Sequence, residues 1–460
     1  MERRAKPKRR ARGLNSPWLP LPAVGLVVVA FLLPLLILVV YSFWPTVDGE
    51  VVRQFTLDNY KRFFESSTYW QSLLRSFLFV GIAAAITVAA TFPFAYYVAT
   101  KARPSRRLFW ILIATIPFWT SYLIRVFAWL NLLGDGGLIN EALMQIGLIS
   151  DPLGVLGPGK PAIVITFIYL LFPLTFLTTY IAIERMNPAM FEAASDLGAR
   201  RWRRFTGVTL PIASSGLVGG FILAFIAMMG DYVTPQLIGG TEGTLYANLV
   251  INQFGNSLQW GFGSTLALLL LVSVFLLLAI MRVTAGTTDS AGEYTGAFTH
   301  KRSPVLFAYS AVFLVCLYVP IGLLMLFAFN DAETVGLPFA GFTTRWFEAV
   351  FSNLVLQDAL ITSLQVAVVS VGVSLVIGSI AAVYLSRTKG WRRNLNLGTI
   401  ALPLFLPPVV LGLAIIIGLN ALGLDRGLWT IIVGHTVLTL PIVTLLVMIR
   451  LEGLDRNHEL

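Results

Sequence analysis

Ten runs of roughly twenty apolar residues, nearly free of charge, set the terms on which this chain can fold. Each is long enough to cross a hydrocarbon layer about 30 Å thick as a helix. Lipid offers no partner for open backbone groups, so a spanning run must close its own hydrogen bonds. The runs fall near 20–44, 72–99, 108–132, 161–183, 206–230, 262–281, 305–329, 362–385, 397–420 and 429–449. With 57% hydrophobic and 12% charged residues, the 460-residue chain has too little polar surface for a soluble shell. The expected fold class is all-α: a polytopic membrane protein of about ten transmembrane helices in two tandem homologous units.

The net charge of +10 does not point to nucleic acid. The basic residues lie in short segments between apolar runs, without the aromatic-lined soluble face that a nucleic-acid binder needs. Starting inside, the inner segments 1–19, 100–107, 184–205, 282–304, 386–396 and 450–460 hold 25 Lys or Arg, whereas the outer segments hold 6. That asymmetry predicts a cytoplasmic N-terminus. The basic stretch 1–19 resembles the start of a signal peptide, but the following apolar run is too long and lacks a small-residue cleavage site. It reads as an uncleaved first helix.

The chain repeats itself. Phe55-Thr56 and Phe342-Thr343 precede the second and eighth runs, and Ala95-Tyr96-Tyr97 meets Ala382-Val383-Tyr384 at the same offset. Arg106 then matches Arg393 and, with small gaps, Pro117 meets Pro403 and Pro173 meets Pro441. The expected organisation is a basic N-terminus 1–19, a first unit 20–282, a polar Gly/Thr/Ser-rich linker 283–304 and a second unit 305–460. The first unit has six runs and the second four. By this alignment Leu460 lies where the second unit would begin its counterpart of Glu192-Ala193-Ala194, so the second unit reads as incomplete, with a separate permease chain as one source of the rest.

The longest inner connection carries the motif. Asn187 is a candidate N-cap with Pro188 at the first helical position. Glu192 follows in the early turns, Ala193 and Ala194 keep one face small, and Gly198 can take the left-handed conformation that ends a helix. A second helix then runs toward Leu210-Pro211. Glu-Ala-Ala, three residues, Gly, nine residues, Val, one residue and Leu-Pro together resemble the loop shared by permeases of ATP-binding-cassette (ABC) importers. Gly230-Asp231-Tyr232-Val233-Thr234-Pro235 and its surroundings resemble the spermidine/putrescine branch. The resemblance runs over nearly the whole chain, the first unit looking like that branch's B-type permease and the second like its C-type.

The resemblance implies a type I ABC importer permease fold in the bacterial inner membrane. It also implies that the loop at about 187–211 docks on ABC ATPase subunits. Glu192, Ala193, Ala194, Asp196, Leu197, Gly198, Ala199 and Pro211 are then the ATPase-coupling residues. The chain would be no enzyme and would bind no cofactor, ATP and Mg belonging to the partner. An extracytoplasmic solute-binding protein, a small-molecule substrate and the lipid bilayer are the other partners, with a polyamine as the expected cargo.

For the substrate path, Asp231 beside Tyr232 offers charge pairing and a cation–π face to a polyamine. The competing reading is a carboxylate that orients its loop. Asp135, in a glycine-rich turn, is a second candidate. Arg125 would repel a polycation and reads as a structural pair or an outward-reaching side chain. Trp119, Trp129 and Trp260 fit interfacial belts. Pro117, Pro173, Pro403, Pro407, Pro408 and Pro441 are candidate hinges. Cys316 reads as inert packing. Gly154 to Pro161 approaches a phosphate-binding loop but ends in Pro161 where a Mg²⁺-binding hydroxyl belongs, so it reads as a turn. No metal-ligand spacing appears. Three alternatives stay open: an ABC permease for another organic solute or anion, an ion-driven secondary transporter, for which the spans hold almost no carboxylates, and an inactive truncated scaffold.

Overall fold

The apolar runs become helices throughout the residues described by the computed structural model, 16–284, 303–333 and 335–453. Most of the basic N-terminus and of the polar linker, and the end of the chain from 454, lie outside the described residues. In chain order the principal helices are α1 (Leu21–Ser42), α2 (Ser67–Thr100), α3 (Pro104–Thr115), α4 (Tyr122–Leu132), α5 (Lys160–Glu184), α6 (Pro188–Asp196) and α7 (Leu210–Met229). They continue with α8 (Val233–Ile238), α9 (Trp260–Thr284), α10 (Pro304–Phe327), α11 (Leu354–Arg387), α12 (Trp391–Ala401), α13 (Pro408–Ala421) and α14 (Leu428–Glu452). Among the described residues, eight helices are long and apolar enough to cross a membrane unbroken. The expected third and ninth spans are instead bent pairs, α3 with α4 at 89° and α12 with α13 at 103°.

The breaks sit at equivalent prolines. Pro117 is the second residue of a 3₁₀ turn, Ile116–Trp119, and Pro403 the second of another, Leu402–Phe405. Proline withholds a backbone donor from the helical ladder. Each turn ends in an extended residue, Thr120 or Leu406, that redirects the chain. Pro407 and Pro408 open α13, while Pro173 and Pro441 stay inside continuous helices. Counting from the helix starts, Pro104 and Trp391, keeps Arg106 opposite Arg393, whereas counting back from Pro117 and Pro403 sets Arg107 there, because α3 is one residue longer than α12.

The repeat is visible in the helices themselves. α2 and α11 are each 34 residues long, and α5 and α14 each 25. A short helix precedes each 34-residue one: Asp58–Glu65 and Arg345–Ser352. Both are tied back to the end of the preceding span. Asn59 Nδ2 donates to the carbonyls of Ser42 (3.1 Å) and Trp44 (3.0 Å), and Trp346 Nε1 donates to that of Asn330 (2.8 Å).

Packing sorts the helices differently from chain order. Among the described residues, one compact unit comprises 16–59, Gln259–Leu268 and 349–453, and within it α1 packs on α11, α12, α13 and α14. The other comprises Tyr60–Leu258 and the described residues between 269 and 348, with α2, α5 and α7 at its centre and α10 packed on α2 and α4. Each repeat's leading helix thus packs among the helices of the other repeat. Tyr309 and Tyr318 fasten α10 in place, their hydroxyls donating to the carbonyls of Ala90 (2.5 Å) and Ile113 (2.8 Å). α7 approaches α5 closely at Gly216, where a Cβ would meet Ala182 Cβ and the Thr178 carbonyl at 2.5 Å. Cys316, expected as packing, is exposed on α10, and Trp129, expected in an interfacial belt, is buried.

Candidate functional site

α6 is built as the sequence anticipates. Asn187 caps it, its Oδ1 accepting from the Ala189 amide at 2.9 Å, and Pro188 begins it where a missing N–H costs nothing. At the other end Gly198 takes φ +75°. The Gly198 amide donates to the Ser195 carbonyl (2.9 Å) and the Ala199 amide to that of Ala194 (3.0 Å). That paired closure satisfies carbonyls the helix would otherwise leave open, and its left-handed residue suits glycine best.

None of the nine residues of α6 is buried. Glu192, Ala193, Asp196 and Gly198 are exposed, and Ala194 and Ala199 half-buried. Leu197 is 87% exposed and Met190 47%, and on the following turn Trp202 is 71% exposed. Arg200, Arg201 and Arg203 are exposed around them. Large apolar side chains gathered on an exposed loop and rimmed by charge mark a contact surface for a protein or the membrane.

The loop is nevertheless held in shape. Arg204 Nη1 donates to Ser195 Oγ at 2.5 Å, folding the short helix Arg201–Arg204 back on α6, and Ser195 Oγ donates to the Phe191 carbonyl at 2.7 Å. Ser195, Arg204, Met190 and Trp202 were not singled out by motif. Their signal is contextual: a hydroxyl and an arginine nine positions apart meet only once Gly198 turns the chain. From Arg204 a π-helical turn, Phe205–Thr209, leads into α7, with Pro211 in its first turn.

Asp231 lies at the corner between α7 and α8. Its Oδ1 accepts from the amides of Val233 (2.9 Å) and Thr234 (3.1 Å). Its Oδ2 accepts from Tyr122 Oη (2.6 Å) and Thr234 Oγ1 (2.5 Å). Burial pushes this carboxyl above the ordinary range, and those hydrogen bonds pull against it. Both oxygens serve donors of the chain itself, an arrangement that orients the corner. The neighbouring Tyr232 is half-buried and gives its carbonyl to Asn248 Nδ2 at 2.7 Å. Asp135 is exposed in its glycine-rich turn, away from this corner's hydrogen bonds.

Arg125 does not reach outward. It is 6% exposed, donates from Nη1 to the Leu170 carbonyl (3.2 Å) and lies 5.5 Å from the centre of the Phe118 ring. Trp129, one turn along α4, packs edge-on against Tyr169 with ring centres 5.6 Å apart. Arg125 Nε, Trp129 Nε1 and Tyr169 Oη are buried with no hydrogen-bond partner among the described residues. The near-P-loop segment forms a 3₁₀ turn, Gly154–Leu156, leading into α5.

The family described as binding-protein-dependent transport system inner membrane component matches residues 81–285. The Haemophilus influenzae spermidine/putrescine transport system permease protein PotB is 34% identical over 254 residues, covering 54% of this chain and 86% of PotB. The Escherichia coli (strain K12) PotB is 31% identical over 258 residues, covering 56% of this chain and 93% of its own length. Among solved structures, the bacterial alginate ABC transporter in complex with alginate pentasaccharide-bound periplasmic protein aligns at TM-score 0.41 and 19% identity, over 50% of this chain and 84% of the matched chain.

Proposed function

The chain belongs to the inner-membrane permeases of binding-protein-dependent ABC importers, and from that premise we propose that it moves polyamines inward, driven through α6 by partner ATPases. Permeases of this family are translocation components, not enzymes, and work with an ATPase and a solute-binding protein. In our reading the N-terminus and α6 face the cytoplasm, in keeping with the excess of Lys and Arg on that side. The ATPase cleft receives Glu192, Ala193, Ala194, Asp196, Leu197, Gly198 and Ala199, and Pro211 starts the helix that carries the motion inward. ATP and Mg belong to the ATPase. A loaded solute-binding protein docks on the outer loops, ATP closes the ATPases, α6 shifts, and the path opens outward.

The observation that carries this reading is α6, which has no buried residue, is capped at both ends and, with the turn that follows, presents Met190, Leu197 and Trp202 to a partner. Polyamine cargo rests on likeness to proteins named for spermidine and putrescine transport. One observation favours the second cargo class, an anion: Arg125, Trp129 and Tyr169 form a buried cluster of open donors. Within the first reading we assign Asp231 and Tyr232 to orienting the α7–α8 corner, and Asp135 to a solvated turn.

The test is the double variant Glu192→Arg with Gly198→Pro in the assembled importer. ATPase association and cargo-stimulated hydrolysis should fall at least about tenfold, as loss of a contact hot spot implies. Association at the native level would remove α6 from the coupling role. In the same proteoliposomes, saturable spermidine uptake supports polyamine cargo, and uptake of an anionic solute alone would transfer the assignment.

A further inference from the structure

The broken third span and the base of α6 are joined by one ion pair, and the second repeat builds the same pair. Arg107, in the first turns of α3, places Nη1 3.8 Å from Glu184 Oε1 at the last residue of α5. Tyr180 Oη, one turn earlier on α5, donates to the same oxygen. Glu184 is followed within three residues by Asn187, the cap of α6. In the other unit Arg393 Nη2 lies 2.8 Å from Glu452 Oε1, at the last residue of α14. The register that superposes Pro117 on Pro403 superposes Arg107 on Arg393, and that which superposes Pro173 on Pro441 superposes Glu184 on Glu452.

The recurrence is informative because the surroundings differ. Arg393 fixes its guanidinium by donating from Nε to the Leu385 carbonyl (3.0 Å). Arg107 instead leaves Nε and Nη2 buried without partners among the described residues, and its Nη1 faces Glu184. Tyr180 has Met448 as its counterpart, 3.9 Å from Arg393 Nη2. The shared element is the Arg–Glu bridge alone, and in both repeats the arginine stands on the first arm of a span bent by about a right angle, 89° and 103°. An isolated solvent-facing pair contributes little to stability. A bridge kept in both repeats while its neighbours change is better explained by what it connects.

We infer that Arg107 and Glu184 are positioning residues that carry displacement of α6 into the first arm of the broken span, so that the bend at Pro117 follows the ATPase. Arg393–Glu452 is the same link in the second repeat. This inference rests on α6 being the coupling helix. When α6 moves, Glu184 moves with it, and the guanidinium draws α3 along. The arm α4 beyond the break is held at other points, by Tyr122 on Asp231 at the α7–α8 corner and by Arg125 on the Leu170 carbonyl, fourteen residues before Glu184 on α5. Motion is therefore delivered as a change of bend, which opens or closes the path, and not as translation of a rigid span.

The experiment uses the full chain assembled with its ATPase and solute-binding protein in proteoliposomes, with spermidine as the probe. Three quantities are read: ATPase association, hydrolysis rate and cargo imported per ATP. Glu184→Gln and Arg107→Gln should each retain ATPase association while cargo per ATP falls about tenfold, within the range of coupling between contacting charged residues. The exchange Arg107→Glu with Glu184→Arg should recover at least about a third of the native ratio, and Arg107→Lys about half, because charge is kept and only the forked geometry is lost. A native cargo-per-ATP ratio in both single variants overturns the inference, as does an exchange variant that assembles yet couples no better than either single change. If a single variant fails to assemble, the Arg107→Lys and exchange variants decide by the same ratio. Failure of the coupling-helix reading is separate: it shows as native ATPase association in the Glu192→Arg, Gly198→Pro protein.

Discussion

At the residue scale, two residues named from sequence take definite places. Gly198 sits at φ +75°, the conformation its position after Glu-Ala-Ala anticipates. Asp231 shows the limit of that reasoning: a carboxylate beside a tyrosine suits a polyamine on paper, but its oxygens are taken up by Val233, Thr234 and Tyr122. Asp231→Asn should therefore act through the fold. The amide keeps one acceptor and presents an NH₂ to donors, so the α7–α8 corner should lose about 1–3 kcal/mol. In detergent the assembled complex should melt several degrees lower, while uptake per folded complex holds. A normal melt with weakened uptake would return Asp231 to the cargo path. Cap chemistry is legible in sequence because it is local. The partners of Asp231 include a tyrosine more than a hundred residues away, which no local pattern records.

At the element scale, the spans were legible because a run of apolar residues in lipid has one backbone solution. Two of them were legible only as runs. Pro117 and Pro403 mark candidate hinges, but so do Pro173 and Pro441, which stay within continuous helices. The difference lies in the backbone around each proline. At Pro117 and Pro403 a 3₁₀ turn and an extended residue complete the bend, whereas Pro173 and Pro441 are buried within unbroken helices. Exposure of α6 gives a direct test. In a Cys316→Ser background, a substitution on an exposed face that should leave assembly unchanged, Leu197→Cys should react fast with a membrane-impermeant maleimide in inverted vesicles. ATPase binding should slow that reaction about tenfold or more, as expected for a residue desolvated at an interface centre. Labelling only from the outer face of intact cells would reverse the proposed orientation.

For the whole molecule, packing interleaves the two repeats. α1 packs with α11 to α14, and α10 with α2 and α4. A chain opened within 285–302 and expressed as two pieces should reassemble, because each piece carries a helix that completes the other's unit. The pieces should co-purify in equal amounts, and the first piece alone should give a markedly lower yield, since without α10 it loses helix packing on α2 and α4 and the Tyr309 and Tyr318 hydrogen bonds. Two pieces that elute separately and intact would show that the exchanged helices are dispensable.

The amino-acid sequence alone determined the all-helical spanning architecture, the tandem repeat, the capped α6 and the family resemblance. Those properties obey local rules: run length against membrane thickness, cap residues against open backbone groups, and spacing within one loop. The tertiary structure decided which repeat each leading helix packs on, which prolines break their helices, and that Arg107 and Arg393 meet Glu184 and Glu452. The repeats offer similar apolar faces to a leading helix, so choosing between them depends on side-chain fit summed over a whole helix length. Such fit has no signature in the order of residues along the chain.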